Sequence, residues 1–234
     1  MWLWGDSREM VDPGLSRVQD LLHGLQRMKS WLLGLCGGTC SGKSTLSRRV
    51  LTLLDPLEIT EISFDSYYRP LDHMGMEQRR AVNFDHPDSL DVELFTEHLR
   101  DLRKGHEVDQ PSYDFERHTR GLESKRLRAA PLVLVDGILL LSFPEIRSLL
   151  DFSVFLDVPE SERLGRRVAR DQRERGRSEA SIREQFETTV APMHRLFVQP
   201  SSEHAELILD GRRPTEELAQ QLASEIRDRL AGSG

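Results

Sequence analysis

Cysteine is scarce in this chain of 234 residues, which carries only Cys36 and Cys40. Two thiols four positions apart, with no further Cys near them, exclude a disulfide framework and speak against a zinc site. Long apolar runs are missing too, and none approaches the roughly 18 residues that signal a bilayer-spanning helix. There is no basic excess. The 39 acids outweigh 32 lysines and arginines, and the net charge of -7 argues against general nucleic-acid binding, which needs a basic surface. The opening residues Met1-Trp2-Leu3-Trp4-Gly5-Asp6 have neither the basic start nor the apolar core of a cleavable leader. These absences together predict a cytoplasmic protein that engages neither nucleic acid nor membrane.

What is present fits one soluble α/β domain, with 38% hydrophobic and 30% charged residues. A chain of this length can bury roughly 70% of its unfolded surface, so it needs no staple. One region breaks the acidic average. Residues 163 to 177 hold seven arginines and two acids, a positive island suited to a small polyanionic ligand.

Residues 1–28 read as an N-terminal extension. After the breaker Asp12-Pro13-Gly14, Leu15, Val18, Leu21, Leu22 and Leu25 recur at helical spacing. That pattern predicts an amphipathic helix packed on the body, or else a partner-binding or regulatory helix. Trp31 to Cys36 is an apolar run of strand length, and Lys43 to Leu54 is helical with Pro56 as its stop. Leu57–Phe64 predicts a second strand, Leu90–Leu102 a helix, and Gly121–Arg128 something irregular or hairpin-like. The unbroken apolar run Pro131 to Val135, ending in Asp136, suits a strand buried on both faces of a parallel sheet. Strands at Ser153–Val158 and Ala205–Leu209 and helices at Ser161–Arg175, Ala180–Phe197 and Thr215–Leu230 complete the pattern. Such alternation predicts a doubly wound, mostly parallel sheet flanked by helices.

Gly37-Gly38-Thr39-Cys40-Ser41-Gly42-Lys43-Ser44 fits G-x-x-x-x-G-K-[ST] between a buried strand and a helix, the context that motif requires. Glycines let backbone N–H groups turn inward around phosphate oxygens, and the helix N-terminus faces the same anion. Lys43 is placed for the outer phosphates and the Ser44 hydroxyl for Mg²⁺. Asp136 ends its strand where ligands of open α/β sheets bind, as a direct or second-layer Mg²⁺ carboxylate. As half of an Asp-Gly dipeptide it also fits a plain turn. Asp65 projects from the same edge after the second strand, as a candidate proton acceptor and a further metal carboxylate. Phosphoryl transfer has a loose transition state, so a carboxylate of pKa ~4 is a sufficient base. A capping Asp in a turn is the competing reading.

Four separated blocks, between about residues 31 and 210, resemble the uridine kinase (uridine–cytidine kinase) family of phosphoribulokinase-like P-loop kinases. They are Gly37–Thr45; Phe64-Asp65-Ser66-Tyr67-Tyr68; Asn83-Phe84-Asp85-His86-Pro87-Asp88 with Pro111-Ser112-Tyr113-Asp114-Phe115; and Arg170-Asp171 with Arg175-Gly176-Arg177. The resemblance implies a P-loop kinase domain over 29–234, with a helical Arg-rich lid at about 163–180 and a hairpin-like nucleoside-binding insertion. ATP or GTP would be the donor, with Mg²⁺, and the product a nucleoside monophosphate. It implies that Asp65 acts at the 5′-hydroxyl and that Asp85 binds the ribose. Tyr68, Phe84, Tyr113, Phe115 and His118 would surround the base, as flat aromatic walls do. Arg170, Arg175 and Arg177 would close over the phosphates, with Arg167 and Gln185 as substrate-side contacts. A homotetramer is implied as well.

This sequence departs from the family pattern in three places. Asp136 stands where a Glu is usual, Leu209-Asp210-Gly211-Arg212-Arg213 replaces a Pro-Arg-Gly-Gly-like stretch, and the N-terminal extension is long. A kinase for a sugar phosphate or a pantothenate-like acceptor is the first alternative. The second is a non-enzymatic nucleotide-dependent regulator, although no Asn-Lys-x-Asp guanine reader occurs.

Overall fold

The apolar run 31–36 becomes the central strand of a five-stranded sheet in which every neighbouring pair is parallel. The computed structural model describes residues 29–114 and 117–232. The expected helix within 1–28 and the candidate Phe115 lie outside the described residues.

The strands of the main sheet are β1 (Trp31–Cys36), β2 (Ile59–Ser63), β5 (Leu132–Asp136), β6 (Phe152–Asp157) and β7 (Leu207–Asp210). Their spatial order is β2-β5-β1-β6-β7. The main helices are α1 (Lys43–Leu54), α2 (Val92–Arg103), α3 (Glu160–Arg175), α4 (Glu179–Gln185) and α5 (Thr215–Gly232). Because strand side chains alternate between faces, β1 sends Leu32 to one core and Leu33 and Leu35 to the other. The first core adds Ile62, Val133 and Val135 and is covered by Phe95, Leu99 and Leu102 of α2. The second is covered by Leu46 and Val50 of α1 and Leu218, Leu222 and Ile226 of α5. Helices on both faces make the sheet doubly wound, as expected. Among the described residues no helix is long and apolar enough to cross a membrane.

Residues expected to be irregular or hairpin-like form a true hairpin, in which β3 (Val108–Asp114) pairs antiparallel with β4 (Thr119–Leu127). The second strand is shorter than its apolar run, because Phe64–Ser66 turns into a 3₁₀ helix that carries Asp65 off the sheet. A six-residue helix, Met76–Ala81, was not expected.

The segment expected to be one helix over 180–197 is one continuous helical run, but it departs from regular α form in two places. After α4 come π-helical turns at Phe186–Val190 and His194–Val198, separated by Ala191–Met193. Pro192 lies between them. Proline has no N–H to donate and its ring clashes with the carbonyl four residues back, so the backbone widens locally instead of continuing regularly.

The register sets the site. Asp136 is paired with Leu35 on one side and Ser63 on the other. The β1–α1 loop, the turn after β2 and Asp136 therefore share one edge of the sheet, beside the crossing from β5 over β1 to β6.

Candidate active site

The β1–α1 loop is bent by three residues with positive φ, Gly37 (+144°), Cys40 (+58°) and Gly42 (+106°). A Cβ on Gly37 would stand 2.6 Å from the Leu156 carbonyl oxygen, so neither conformation nor space admits a side chain there. The Ser41 N–H donates to the Gly38 carbonyl at 3.1 Å. Lys43 is buried at the start of α1, and its Nζ donates to the Gly37 carbonyl at 2.9 Å and the Gly38 carbonyl at 3.4 Å. The ammonium is thereby held across the mouth of the loop. The amides of Ser44 and Thr45 lie in the first turn of the same helix, where dipole and N–H groups favour an anion.

Asp136 and Asp65 face this loop. One carboxylate oxygen of Asp136 is buried with no hydrogen-bond partner among the described residues. Burial, opposed by Lys43 and reinforced by Asp65 and Glu61, pushes the Asp136 carboxyl up to about 6. A cavity of about 350 Å³ runs along it, lined also by Ser44, Ser47, Glu61, Ser63 and Gln110, with the cations Arg48 and Lys125 on its wall. Ser47 donates to Glu61 at 3.0 Å. Hydroxyl and carboxylate oxygens around an orphaned carboxylate suit a hard divalent cation, which typically takes one or two protein carboxylates and the rest from phosphates and water. Asp65 sits within surrounding protein that raises its carboxyl, with Lys43 lowering it and Asp85 raising it further. Its side chain nonetheless opens to solvent in the cleft, which limits that rise.

Four of the five aromatic candidates come together. Tyr68 packs on Phe84 (5.4 Å between centroids) and Tyr113 (4.8 Å), and Phe84 stacks near-parallel on His118 at 6.1 Å. His118 adopts φ of +49° immediately before β4, the left-handed geometry that hairpin connections commonly use. Arg120 fixes the hairpin to this wall by donating to the Tyr68 carbonyl and to Asp91, each at 3.0 Å. The neighbouring loop is braced internally. Asn83 accepts from the Asp85 N–H at 3.1 Å and His86 from the Asp88 N–H at 3.2 Å, which accounts for His86 and Asp88 without a ligand. Asp85 is raised by burial, with Arg167 pulling it back down.

The arginine island lies on α3 and the loop after it, organised by a residue that was not singled out as a site. Asp171 is wholly buried among Arg170 (2.8 Å), Arg167 (3.7 Å), Arg175 (3.8 Å) and Arg177 (3.8 Å). A solvated helix face would leave this carboxylate in water. Gln185 accepts from both Arg167 (3.1 Å) and Arg177 (2.6 Å), and Arg167 also reaches the Thr39 hydroxyl at 3.4 Å. The arginine cluster is therefore tied to the phosphate loop and to α4.

Sequence reading also missed Arg166. It donates to the Ser41 carbonyl at 2.9 Å and the Gly211 carbonyl at 3.1 Å, clasping the loop to the atypical 209–213 stretch. On α3 Arg163, Arg167 and Arg170 share one face; Arg166 lies on the adjoining strip, and only tertiary packing brings it to the loop. Asp171 did carry a signal, as one of two acids among seven arginines.

Comparison with known proteins finds related sequences and a shared fold. Residues 32–219 match the Phosphoribulokinase / Uridine kinase family. The chain is 39% identical over 182 residues to a uridine kinase of Clostridium novyi, covering 78% of this chain and 88% of that one. It is 41% identical over 178 residues to a uridine kinase of Clostridium tetani, covering 76% and 85%. Among solved structures, the D-glycerate 3-kinase of Cryptococcus neoformans var. grubii superposes with a TM-score of 0.60 at 15% identity, covering 87% of this chain and 98% of that one. That likeness speaks to the fold alone. With the phosphate loop, the strand-edge acids and the arginine cluster in place, the match over most of the chain leads to one conclusion: this protein belongs to the phosphoribulokinase / uridine kinase family.

Proposed function

We propose that the protein transfers the γ-phosphoryl group of ATP (or GTP) to the 5′-hydroxyl of uridine or cytidine. The observation that supports this reading is that Asp65 follows β2 at the sheet edge shared with the phosphate loop and Asp136, and that Lys43 and Asp85 are both close enough to act on its carboxyl.

In this reading Gly37, Gly38, Thr39, Cys40, Ser41, Gly42, Ser44 and Thr45 cradle the donor phosphates through the loop and helix amides, with Lys43 on the outer phosphates. Ser44 and Asp136, with Asp65, would hold Mg²⁺, which would supply charge neutralisation on the phosphate oxygens. Tyr68, Phe84, Tyr113, Phe115 and His118 enclose the base. A neutral imidazole at His118 can donate or accept at the base edge, so uridine and cytidine are both accommodated. Asp85 and Arg167 position the ribose. Asp65 takes the 5′-hydroxyl proton as the new O–P bond forms and the bond from γ-phosphorus to the bridging oxygen breaks, with ADP leaving. Arg170 and Arg175 offset charge on the transferring group, as an arginine finger does, while Arg177 and Gln185 hold the lid against the substrate. A homotetramer belongs to the same reading on the strength of the family resemblance, and a cytoplasmic location on the free thiols of Cys36 and Cys40.

The test is ADP release with Mg·ATP against uridine, cytidine, adenosine, thymidine, ribulose 5-phosphate and pantothenate. Turnover with uridine or cytidine alone is expected. Turnover with ribulose 5-phosphate or pantothenate instead would place the acceptor elsewhere within the family.

A further inference from the structure

Arg163 heads the largest fully buried side chains of this protein, with 1% of its surface exposed. Its Nε donates to the Val158 carbonyl at 3.1 Å, and its guanidinium carbon lies 5.8 Å from the centre of the Phe186 ring. Its Nη1 is buried with no hydrogen-bond partner among the described residues. The other six arginines of the island each have a carboxylate within 4.0 Å. Arg166 pairs with Glu162, and Arg173 with Glu174, while Arg167, Arg170, Arg175 and Arg177 share Asp171. Arg163 has no such pair among the described residues. Glu160, the leading charge that favours its ionised form, is committed to Arg195 at 2.7 Å.

A buried charge without a counter-ion is costly, and arginine cannot discard its proton to escape that cost. Its position supplies the reason. A Cβ built on Gly38 would stand 2.9 Å from Arg163 Nη1 and 2.8 Å from His194 Cε1, so the guanidinium is pressed against the back of the phosphate loop. His194 is neutral, because burial and the Arg163 charge hold its pKa at about 4, and so adds no competing charge. The absence of a side chain on Gly38 is what permits this approach.

We propose that Arg163 is a positioning residue for the donor nucleotide, whose unpaired charge is compensated by the phosphates bound on the other face of Gly38. The proposal rests on the reading of Gly37–Thr45 as a triphosphate site, but not on the identity of the acceptor. It distinguishes Arg163 from the lid arginines, which exchange an existing acidic partner for phosphate; Arg163 has none to exchange.

The experiment is calorimetric titration of the full chain with Mg·ATP and, separately, with uridine, comparing the parent with Arg163→Met and Arg163→Lys. Removing the charge should weaken Mg·ATP binding about tenfold or more, the scale of one charge several ångströms from a phosphate at an effective dielectric constant of about 20. Uridine binding should stay within about twofold of the parent, and Arg163→Lys should recover most of the lost affinity. If the Met variant does not fold, Arg163→Gln, which can keep the hydrogen bond to Val158, takes its place under the same criterion. A neutral variant that binds Mg·ATP as the parent does, or a Lys variant as weak as the neutral one, overturns the proposal. A parent that binds Mg·ATP but fails to phosphorylate uridine would instead count against the proposed acceptor, leaving this inference standing.

Discussion

Arg170 donates from Nε to Asp171 Oδ1 at 2.8 Å, and Asp171 is wholly buried although it lies on a helix lined with arginines. One carboxylate thus gathers four guanidinium groups, of which Arg167 also reaches the Thr39 hydroxyl of the phosphate loop. Asp171→Asn leaves that cluster without its anion, and breaking a buried ionic network by removing one partner costs about 3–5 kcal/mol. Because Arg170 is a third exposed, the expected loss lies toward or below the lower end of that range. Urea unfolding should register it, and turnover should fall by about 10², the scale of losing preorganised transition-state donors. Turnover at the parent level would mean that the lid arginines do not need Asp171 to hold their places.

Lys43 and Asp65 separate binding from chemistry. Lys43→Ala should lower kcat by on the order of 10²–10³ through loss of one donor to the transferring group. Asp65→Asn should retain Mg·ATP binding while transfer drops by about 10²–10⁴, the range for a positioned proton acceptor. Single-turnover kinetics beside calorimetry makes the comparison. An Asp65→Asn enzyme within about tenfold of the parent, well inside that range, would remove Asp65 from the role of base.

Two buried groups predict opposite pH slopes of stability. Asp136 rises from an ordinary 3.8 to about 6, so the folded state binds its proton more tightly than the unfolded chain does. Its contribution to stability falls as pH climbs from about 4 to about 6. His194 falls from 6.5 to about 4, so the unfolded chain binds that proton more tightly, and stability is gained as pH climbs from about 4 to about 6.5. Thermal melts across this window should show Asp136→Asn gaining on the parent with rising pH and His194→Gln losing ground to it. Parallel profiles for His194→Gln and the parent would contradict a buried neutral imidazole behind the phosphate loop.

Gly37 and Gly42 differ in a way that substitution can expose. Both hold positive φ, which alone costs a residue with a side chain about 1–3 kcal/mol. A Cβ on Gly42 meets nothing nearer than 3.8 Å, whereas on Gly37 it meets the Leu156 carbonyl at 2.6 Å, and that oxygen belongs to a buried strand. Gly37→Ala should therefore melt at a lower temperature than Gly42→Ala and lose Mg·ATP binding. Equal melting temperatures would show that β6 gives way easily.

The sequence by itself determined the phosphate loop and the individual strands and helices, because these are local, while the order in which the strands pair, Trp31 beside Leu132 for example, is long-range. An apolar run of strand length, a glycine-bounded turn and an amphipathic helix follow one another between Trp31 and Leu54, and each is specified by near neighbours. It also supplied Asp136 and Asp65, through their places at strand ends, and the arginine island through density alone. The clustering of Tyr68, Phe84, Tyr113 and His118 was legible only through family resemblance, since aromatics so far apart in the chain carry no spacing signal. Tertiary structure alone decided what the arginines do. Which of them meets Asp171, which one clasps Ser41 to Gly211 and which stays unpaired behind Gly38 depends on how α3 crosses the loop. The pattern of residues on a helix defines its faces, but the value of a charge is set by the dielectric and the partners it meets after packing, and those come from distant segments of the chain.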